Sequence, residues 1–179
     1  MSERVDVVWE RWEGHGMEHA CVAVGPDGVF ADSDLLTPDN VHAHFRVRCD
    51  AQWRTRHVEV TVLEPEPRVL RLEADGEGHW VDRPELDGCI DVDIFPSPLT
   101  NSLPIRRLGA GAETTAAWVQ IPELTVEPLP QRYTPLAGGA RWRYEALSSG
   151  FTTEFDVDAD GLVLDYPGLA RRLRPRGAQ

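Results

Sequence analysis

The chain has 179 residues, of which 41% are hydrophobic and 27% are charged, so its composition is that of a globular protein and not of a disordered one. Its formal net charge of -12 argues against binding to nucleic acid or to an anionic membrane surface. The length suits one domain with a substantial core.

The N-terminal segment 1–16 starts with charged residues and lacks the apolar stretch of a signal peptide, so we expect a cytoplasmic protein. No run of the sequence approaches the ~20 apolar residues of a transmembrane helix. The cysteines are Cys21, Cys49 and Cys89, an odd number without paired spacing. This pattern predicts buried free thiols, not disulfides or a zinc site.

Apolar residues recur with a period of two along most of the chain, which is the pattern of half-buried β-strands. Turn signals rich in Gly, Pro and Asp separate these runs. The predicted strands are residues 18–24, 44–50, 56–63, 68–75, 88–95, 115–121, 140–147, 151–158 and 161–166. Weak helical patterns occur at 5–13, 36–42 and 168–173. The sequence therefore predicts an all-β fold with minor α-helix, in which an antiparallel sheet curls to protect its edges.

We expect a single domain over residues 1–168, followed by a basic, flexible tail at 169–179. The tail contains no acid and four arginines, Arg171, Arg172, Arg174 and Arg176. This composition is typical of a solvated terminus. The alternative is an electrostatic tether to a phosphate-rich partner or to the acidic body of the protein.

Residues 87–95, DGCIDVDIF, form the first half of an unusual motif. Strand alternation places Asp91 and Asp93 on one face, with their Cα atoms about 6.5–7 Å apart. Two carboxylates at this spacing could act as acid and base on a glycosidic bond. Several predicted strands carry such charged rows, and rows of opposite sign on neighbouring strands would form ion pairs across a solvated outer face, which is the alternative for these two acids.

The second half of the motif is the polar segment 96–107, PSPLTNSLPIRR. Its prolines cannot donate ladder hydrogen bonds, so the sheet is interrupted and the segment is stiff. It carries Thr100 and Asn101 and ends in Arg106 and Arg107, which point to opposite sides if the chain is extended. One of these arginines could hold an anionic or sugar-bearing head group. A purely structural corner is the alternative.

The sequence lacks complete motifs for nucleophilic catalysis, nucleotide binding or metal binding. No G-x-S-x-G, G-x-G-x-x-G or Walker pattern occurs. His42 and His44 share a strand face but lack a defined third ligand, and DVDADG at 156–161 matches a calcium loop for only six residues. We therefore expect no metal and no cofactor. Six tryptophans are many for this length, and tryptophan suits cavities and sugar rings as well as cores.

Five segments carry a family resemblance: CDAQWRTRHVEV (49–60), GHW (78–80), LDGCIDVDIFPSPLTNSLPIRRL (86–108), QRYTPL (131–136) and SGFTTEFDVDADGLVLDYPGL (149–169). In order and spacing they resemble the bacterial putative glycolipid-binding family, formerly a domain of unknown function. The resemblance implies a single-domain spiral β-roll, or incompletely closed barrel, that is similar to lipoprotein carriers. It also implies an apolar groove for an amphiphile such as a glycolipid.

Residue patterns and resemblance together nominate a set of ligand-binding residues: Trp53, Arg54, Arg56, Trp80, Asp91, Asp93, Thr100, Asn101, Arg106, Arg107 and Tyr133. The expected function is non-catalytic binding of a glycolipid or other amphiphile. One alternative is an enzyme that acts on a small polar or glycosylated substrate through Asp91 and Asp93. Another is a purely structural or dimerisation module, and a homodimer is compatible with each of these functions.

Overall fold

The computed structural model describes residues 3–173. This part of the chain consists mainly of β-strands, with one short α-helix, α1 (Ser102–Leu108). Short 3-10 turns occur at Pro84–Leu86, Leu99–Asn101 and Ala137–Gly139. The mainly β class that the period-two pattern predicts is confirmed.

The larger of two sheets contains eight of the described strands: β1 (Glu3–Arg11), β2 (Met17–Gly25), β3 (Gly28–Leu36), β4 (His42–Cys49), β5 (Thr55–Val62), β6 (Arg68–Glu73), β12 (Asp165–Tyr166) and β13 (Ala170–Arg172). Their spatial order is β12-β13-β1-β2-β3-β4-β5-β6, and neighbouring strands pair antiparallel. Consecutive hairpins thus build most of this sheet, and the C-terminal strands add to its β1 edge.

The smaller sheet contains the other five described strands: β7 (Asp91–Phe95), β8 (Ala112–Gln120), β9 (Thr125–Leu136), β10 (Arg141–Ala146) and β11 (Phe151–Asp156). Their order is β11-β10-β9-β8-β7, and β7 pairs with β8 in parallel. A hairpin cannot join parallel strands, so the chain between them must cross over. The segment 96–111, which contains α1, forms this crossover.

Backbone hydrogen bonds join the two sheets near Ile90 and near Leu164. The Thr55 N–H donates to the Ile90 carbonyl at 3.1 Å, and the Ile90 N–H donates to Thr115 of β8 at 3.0 Å. The Leu164 N–H donates to Asp156 of β11 at 2.7 Å, and its carbonyl accepts from Arg172 at 2.7 Å. The sheets therefore form one curled surface that is not a closed barrel, as the sequence predicts.

The core follows from strict alternation along the strands of the larger sheet. Most alternate residues of β2 to β5 are buried, including Phe45, Val47, Val58 and Val60. These rows pack against Val92 and other apolar residues of the β7 region in one hydrophobic cluster. Each such side chain contributes about 1.5–3 kcal/mol by leaving water.

The outer face of the larger sheet carries charged rows that pair across strands. The Arg46 Nε of β4 donates to Asp32 of β3 at 2.9 Å, and its Nη1 lies 3.8 Å from Glu59 of β5. Arg71 of β6 donates to the same glutamate at 2.6 Å. These contacts confirm the predicted cross-strand ion pairs, each of which is worth about 0.2–1 kcal/mol at the surface.

The three helical predictions are wrong. Residues 5–11 lie in β1 and 170–172 in β13, while 36–42 connects β3 to β4. The helix that does form, α1, was predicted as a stiff loop because Pro104 suggested a break. A proline in the first turn of a helix is tolerated, since the N–H that it lacks would have no partner within the helix there.

Two long strands, β3 and β9, were not predicted. β3 alternates well, but its outward residues include Asp32 and Asp34, which are poor strand formers. β9 contains Pro128, Pro130 and Pro135, which argue against an inner strand. These prolines fit because β10 pairs only with residues 131–136 and β8 only with 125–133, so each proline has a partner strand on one side only.

The segment predicted as a flexible tail begins inside the larger sheet. Ala170–Arg172 form β13, which pairs with β1 and β12. The Arg171 guanidinium lies 4.6 Å from the centre of the Trp12 ring, and Arg172 bonds to Asp158. Arg174 and Arg176 lie outside the described residues, and the predicted division into a domain at 1–168 and a tail stays a prediction.

Candidate functional site

A cavity of about 570 Å³ opens on the face of the smaller sheet that carries Asp93 of β7. Strands β7 to β11 supply most of its wall, and the segments 97–101 and 166–169 complete it. Its lining residues are Asp93, Phe95, Ser97, Asn101, Trp118, Glu127, Pro128, Leu129, Tyr144, Ala146, Ser148, Ser149, Phe151, Tyr166, Pro167, Gly168 and Leu169. Most of this wall is apolar or aromatic, and the volume lies in the range of small-molecule sites.

A chain of buried polar side chains forms the floor of the cavity. Asn101 donates from Nδ2 to the Tyr133 hydroxyl at 3.0 Å, and that hydroxyl donates to Oε1 of Gln131 at 3.2 Å. The Gln131 amide then donates to Oδ2 of Asp93 at 2.6 Å and to the Tyr144 hydroxyl at 3.1 Å. Along the path from Asn101 through Tyr133 and Gln131, each donor points toward Asp93, so this path ends on a carboxylate.

Asp93 is the acceptor at which this chain ends, and it has further hydrogen-bonding capacity. Thr100 contributes a weak hydrogen bond to its Oδ1 at 3.4 Å. Burial raises the pKa of Asp93 to about 6, although the hydrogen bonds from Gln131 and Thr100 oppose that rise; the Asp91 charge adds to it. At neutral pH the site therefore holds a carboxylate whose charge the surrounding protein stabilises poorly.

The mouth of the cavity exposes aromatic side chains. Phe95 is 49% exposed and Phe151 is 50% exposed. Phe95 packs edge to face on Trp118, with ring centres 6.4 Å apart, and Phe151 lies 6.2 Å from the Tyr144 ring. Exposed aromatic groups at the rim of a cavity indicate a surface that an apolar ligand or partner covers.

A second buried polar group lies behind the floor. Ser97, which lines the cavity, donates to Oε1 of Glu18 at 2.6 Å, and Ser33 donates to the same oxygen at 2.9 Å. The Arg11 Nη2 lies 3.7 Å from Oε2 of Glu18, and Arg11 also bonds to the Pro96 carbonyl. Burial raises the pKa of Glu18 to about 7, against the effects of Ser97 and Arg11. This group ties β1 and β2 of the larger sheet to the segment that carries Ser97.

Four of the residues predicted from the sequence belong to the cavity or its floor. Asp93 and Asn101 line it, and Thr100 and Tyr133 contact them from behind. Tyr133 is only 1% exposed, so it acts on the cavity through Asn101 and Gln131.

Asp91 shares the face of Asp93, as alternation predicts, but does not line the cavity. Its carboxylate is fully buried and accepts two hydrogen bonds from Arg107, at 3.1 and 2.6 Å. Thr114 donates to the same carboxylate at 2.7 Å. This bidentate pair anchors α1 to β7 and β8, which explains why the motif combines an aspartate with a later arginine.

The remaining predicted residues lie outside the cavity lining. Arg106 stacks on Trp53, with its guanidinium 5.1 Å from the ring centre, and both border a small separate pocket of about 60 Å³. Arg54 pairs with Glu77, and Arg56 lies 3.6 Å from Asp50. Trp80 is buried in the core and donates its ring N–H to the Cys89 carbonyl at 2.8 Å. A ligand-binding role for these residues stays a prediction.

Several cavity residues were not nominated from the sequence: Trp118, Glu127, Gln131, Tyr144, Phe151 and Tyr166. Alternation in 115–121 and 140–147 was recognised, so the faces of Trp118 and Tyr144 could have been assigned. Gln131 could not, because its strand was missed. The order of the strands in the sheet decides which strand faces lie next to one another. A local sequence pattern does not determine that order.

The thiols and the described helices add little chemistry. Burial raises the pKa of Cys49 to about 12 and of Cys89 to about 11, so both are neutral thiols. All three cysteines are free, as predicted, but Cys21 is only half-buried, because it lies on the outward side of β2. Within residues 3–173, no group of three His, Cys, Asp or Glu side chains is arranged to hold a metal ion. None of the helices in that stretch has the length and apolar character that crossing a membrane requires.

Fold and cavity together define a curled, mainly β protein with an aromatic-walled cavity of ligand size. Residues 6–172 match the family described as "Putative glycolipid-binding", and the chain belongs to this family. It is similar to a crystal structure of a DUF1089 family protein from Pseudomonas aeruginosa, with 37% sequence identity and a TM-score of 0.70. That similarity covers 96% of this chain and 92% of the other. Comparison with curated proteins gives no match.

Proposed function

We propose that the protein binds an amphiphilic ligand in the cavity of the smaller sheet and catalyses no reaction on it. The cavity itself carries the proposal: it has a volume of about 570 Å³, largely apolar walls and a few converging polar groups on its floor. This combination is typical of small-molecule sites. The family description, which names glycolipid binding, supports the same class of ligand.

An enzyme that uses Asp91 and Asp93 as acid and base has less support. Both carboxylate oxygens of Asp91 accept hydrogen bonds from Arg107, so this group is neither free to move a proton nor part of the cavity wall. The enzyme alternative, in which Asp91 and Asp93 act on a small polar or glycosylated substrate, stays a prediction. So do the homodimer and the cytoplasmic location, which analytical ultracentrifugation and cell fractionation would test.

Native mass spectrometry of freshly purified protein, followed by solvent extraction, tests the proposal. We expect a copurifying amphiphile, or saturable binding of a fluorescent fatty-acid probe to the emptied protein. Ser148→Trp, at the exposed rim of the cavity, should weaken probe binding by about tenfold because the indole fills the mouth.

Thr152→Trp is the matched control, since Thr152 is exposed and neighbours Phe151 on the opposite face of β11. It should leave probe binding unchanged. The proposal fails if no amphiphile copurifies and no probe binds, or if both tryptophan variants bind as the parent protein does.

A further inference from the structure

Polar groups lie on the floor of the cavity, whereas its mouth combines the aromatic Phe95 and Phe151 with the exposed Glu127 and Ser148. On the floor, Asn101 is 4% exposed and Tyr144 is 5% exposed, and hydrogen bonds through Tyr133 and Gln131 link both to Asp93. At the mouth, Phe95 and Phe151 are about half exposed. A tail-first ligand would place its apolar end against the half-buried Asp93 carboxylate, which costs free energy without a compensating hydrogen bond. A head-first ligand places its polar group against Asp93 and its apolar tail beside the two phenylalanine rings at the mouth.

The floor offers hydrogen-bond acceptors next to the Tyr144 hydroxyl, which accepts from Gln131 and can donate its own proton. Asn101, which lines the cavity, donates one N–H to Tyr133, and its amide oxygen accepts no hydrogen bond within the described residues. Asp93 has lone pairs left after its bonds to Gln131 and Thr100. Such a floor suits a head group rich in N–H donors.

The charge of the cavity has one sign. Asp93 and Glu127 line it, and the described lining contains no arginine or histidine. The arginine-bearing end of the 96–107 segment is engaged elsewhere, because Arg107 binds Asp91 and Arg106 stacks on Trp53. An anionic head group would therefore meet two carboxylates and no cation, which disfavours it electrostatically.

Trp118 lies between these two carboxylates. It is directly opposite Asp93 on β7 and directly opposite Glu127 on β9, so the three side chains share one face of the sheet. Phe95, Tyr144, Phe151 and Tyr166 surround the same space. Aromatic faces next to carboxylates form the type of box that binds ammonium groups.

We infer that the cavity takes its amphiphile head-first and that the head group carries a positive charge, as an amine or a quaternary ammonium. The inference rests on the proposed function, since it assigns the head group and the orientation of the same ligand. Asp93 and Asn101 accept hydrogen bonds from the head group or face its charge, and Trp118 provides a ring face. The apolar tail lies over Phe95 and Phe151.

Calorimetric titration with three probes that share a decyl chain tests this inference: decylammonium, decyl glucoside and decyl sulfate, each below its micelle concentration. At about pH 7.5, where Asp93 is ionised, the cationic probe should bind at least about tenfold more tightly than either of the others. Asp93→Asn should remove most of that preference. It should change the affinity for decyl glucoside by less than about twofold.

Two further variants separate orientation from net charge. Glu127→Gln, at the exposed rim, should weaken cation binding less than Asp93→Asn does, whereas a tail-first ligand would give the reverse order. Glu123→Gln removes one charge from an exposed residue outside the cavity lining and should have no effect.

The possible results distinguish this inference from the proposed function. Binding of all three probes with similar affinity, or tightest binding of the glucoside or the sulfate, overturns the inference and leaves the proposed function intact. A larger effect of Glu127→Gln than of Asp93→Asn overturns the head-first orientation. No binding of any probe overturns both.

Discussion

In the larger sheet the inward row of β4 is apolar and that of β5 is apolar from Val58 onward, while the corresponding surface of the smaller sheet carries Asp93 and Gln131 among aromatic residues. The larger sheet follows strict alternation and antiparallel hairpins, and the smaller one has three prolines in β9 and a parallel pair of strands. Burying polar groups costs stability unless each finds a partner. Several polar residues that are buried around one cavity, despite this loss of stability, indicate a binding site more clearly than exposed charged residues do.

The comparison predicts that the core of the larger sheet dominates stability. Phe45→Ala should lower the free energy of unfolding by about 3–5 kcal/mol, because Phe45 is fully buried and its removal leaves a cavity among β-branched neighbours. Urea denaturation followed by tryptophan fluorescence would measure this loss. A loss of less than about 1 kcal/mol would show that the larger sheet is not the stabilising element.

The Asp91–Arg107 pair should be the strongest polar contribution of the smaller sheet. Arg107→Met leaves the buried Asp91 carboxylate without its cation, which should cost about 3 kcal/mol. The matched control is Arg132→Met, which breaks the exposed pair with Glu113 and should cost less than about 1 kcal/mol. Equal losses in thermal denaturation of the two variants would contradict a structural role for Arg107.

Asp93 should reduce stability as the pH rises. Its pKa is raised to about 6 in the folded protein, so folding gains from its proton below about pH 4 and loses that gain as the pH passes 6. The Asp93→Asn variant lacks this dependence. Between pH 4 and pH 8 its free energy of unfolding should fall by up to about 3 kcal/mol less than that of the parent protein.

The measurement for Asp93 is urea denaturation at a series of pH values. Glu18, whose pKa is raised to about 7, contributes in the same direction in both proteins, so the difference between the two curves isolates Asp93. Asp91, Glu127, Tyr133, Tyr144 and Tyr166 are the other titratable groups around it. Parallel curves for parent and variant would contradict the burial of this charge.

Phe151 should give the smallest change in stability and a clear change in binding. Phe151→Ala removes a ring that is half in solvent, so the free energy of unfolding should fall by less than about 1 kcal/mol. The affinity for a decyl-chain probe should fall by about five- to tenfold, because the tail loses its apolar contact. Phe30→Ala, a ring on the larger sheet outside the cavity, should not change probe affinity.

How much could be predicted depended on how local each feature is. β2, β4 and β5 were recognised because alternation needs only neighbouring residues. β1 was mistaken for a helix, since its apolar positions also fit a helical spacing. β9 was missed because its prolines are acceptable only where a partner strand is lacking on one side, which the sequence does not state.

The site followed the same division. Asp93 and Asn101 could be predicted as site residues because they lie in an unusual motif. Arg107 lies in the same motif, but its partner is the buried Asp91 and not a ligand. Without the strand order, a motif residue that binds a ligand and one that anchors a helix look alike. No sequence pattern marks Gln131 as a site residue, yet it forms hydrogen bonds with Asp93, Tyr133 and Tyr144 at the floor of the cavity.

The sequence by itself determined the mainly β class, most strand positions, the ion-paired outer face and the family, because each depends on residue types at short, regular spacing. Only the tertiary structure decided that β7 lies parallel to β8 and that α1 crosses over between them. It also decided that Asp93, Trp118 and Glu127 stand in one row facing a cavity. These features depend on which distant strands become neighbours, a choice made by packing of the whole chain and not by any local pattern.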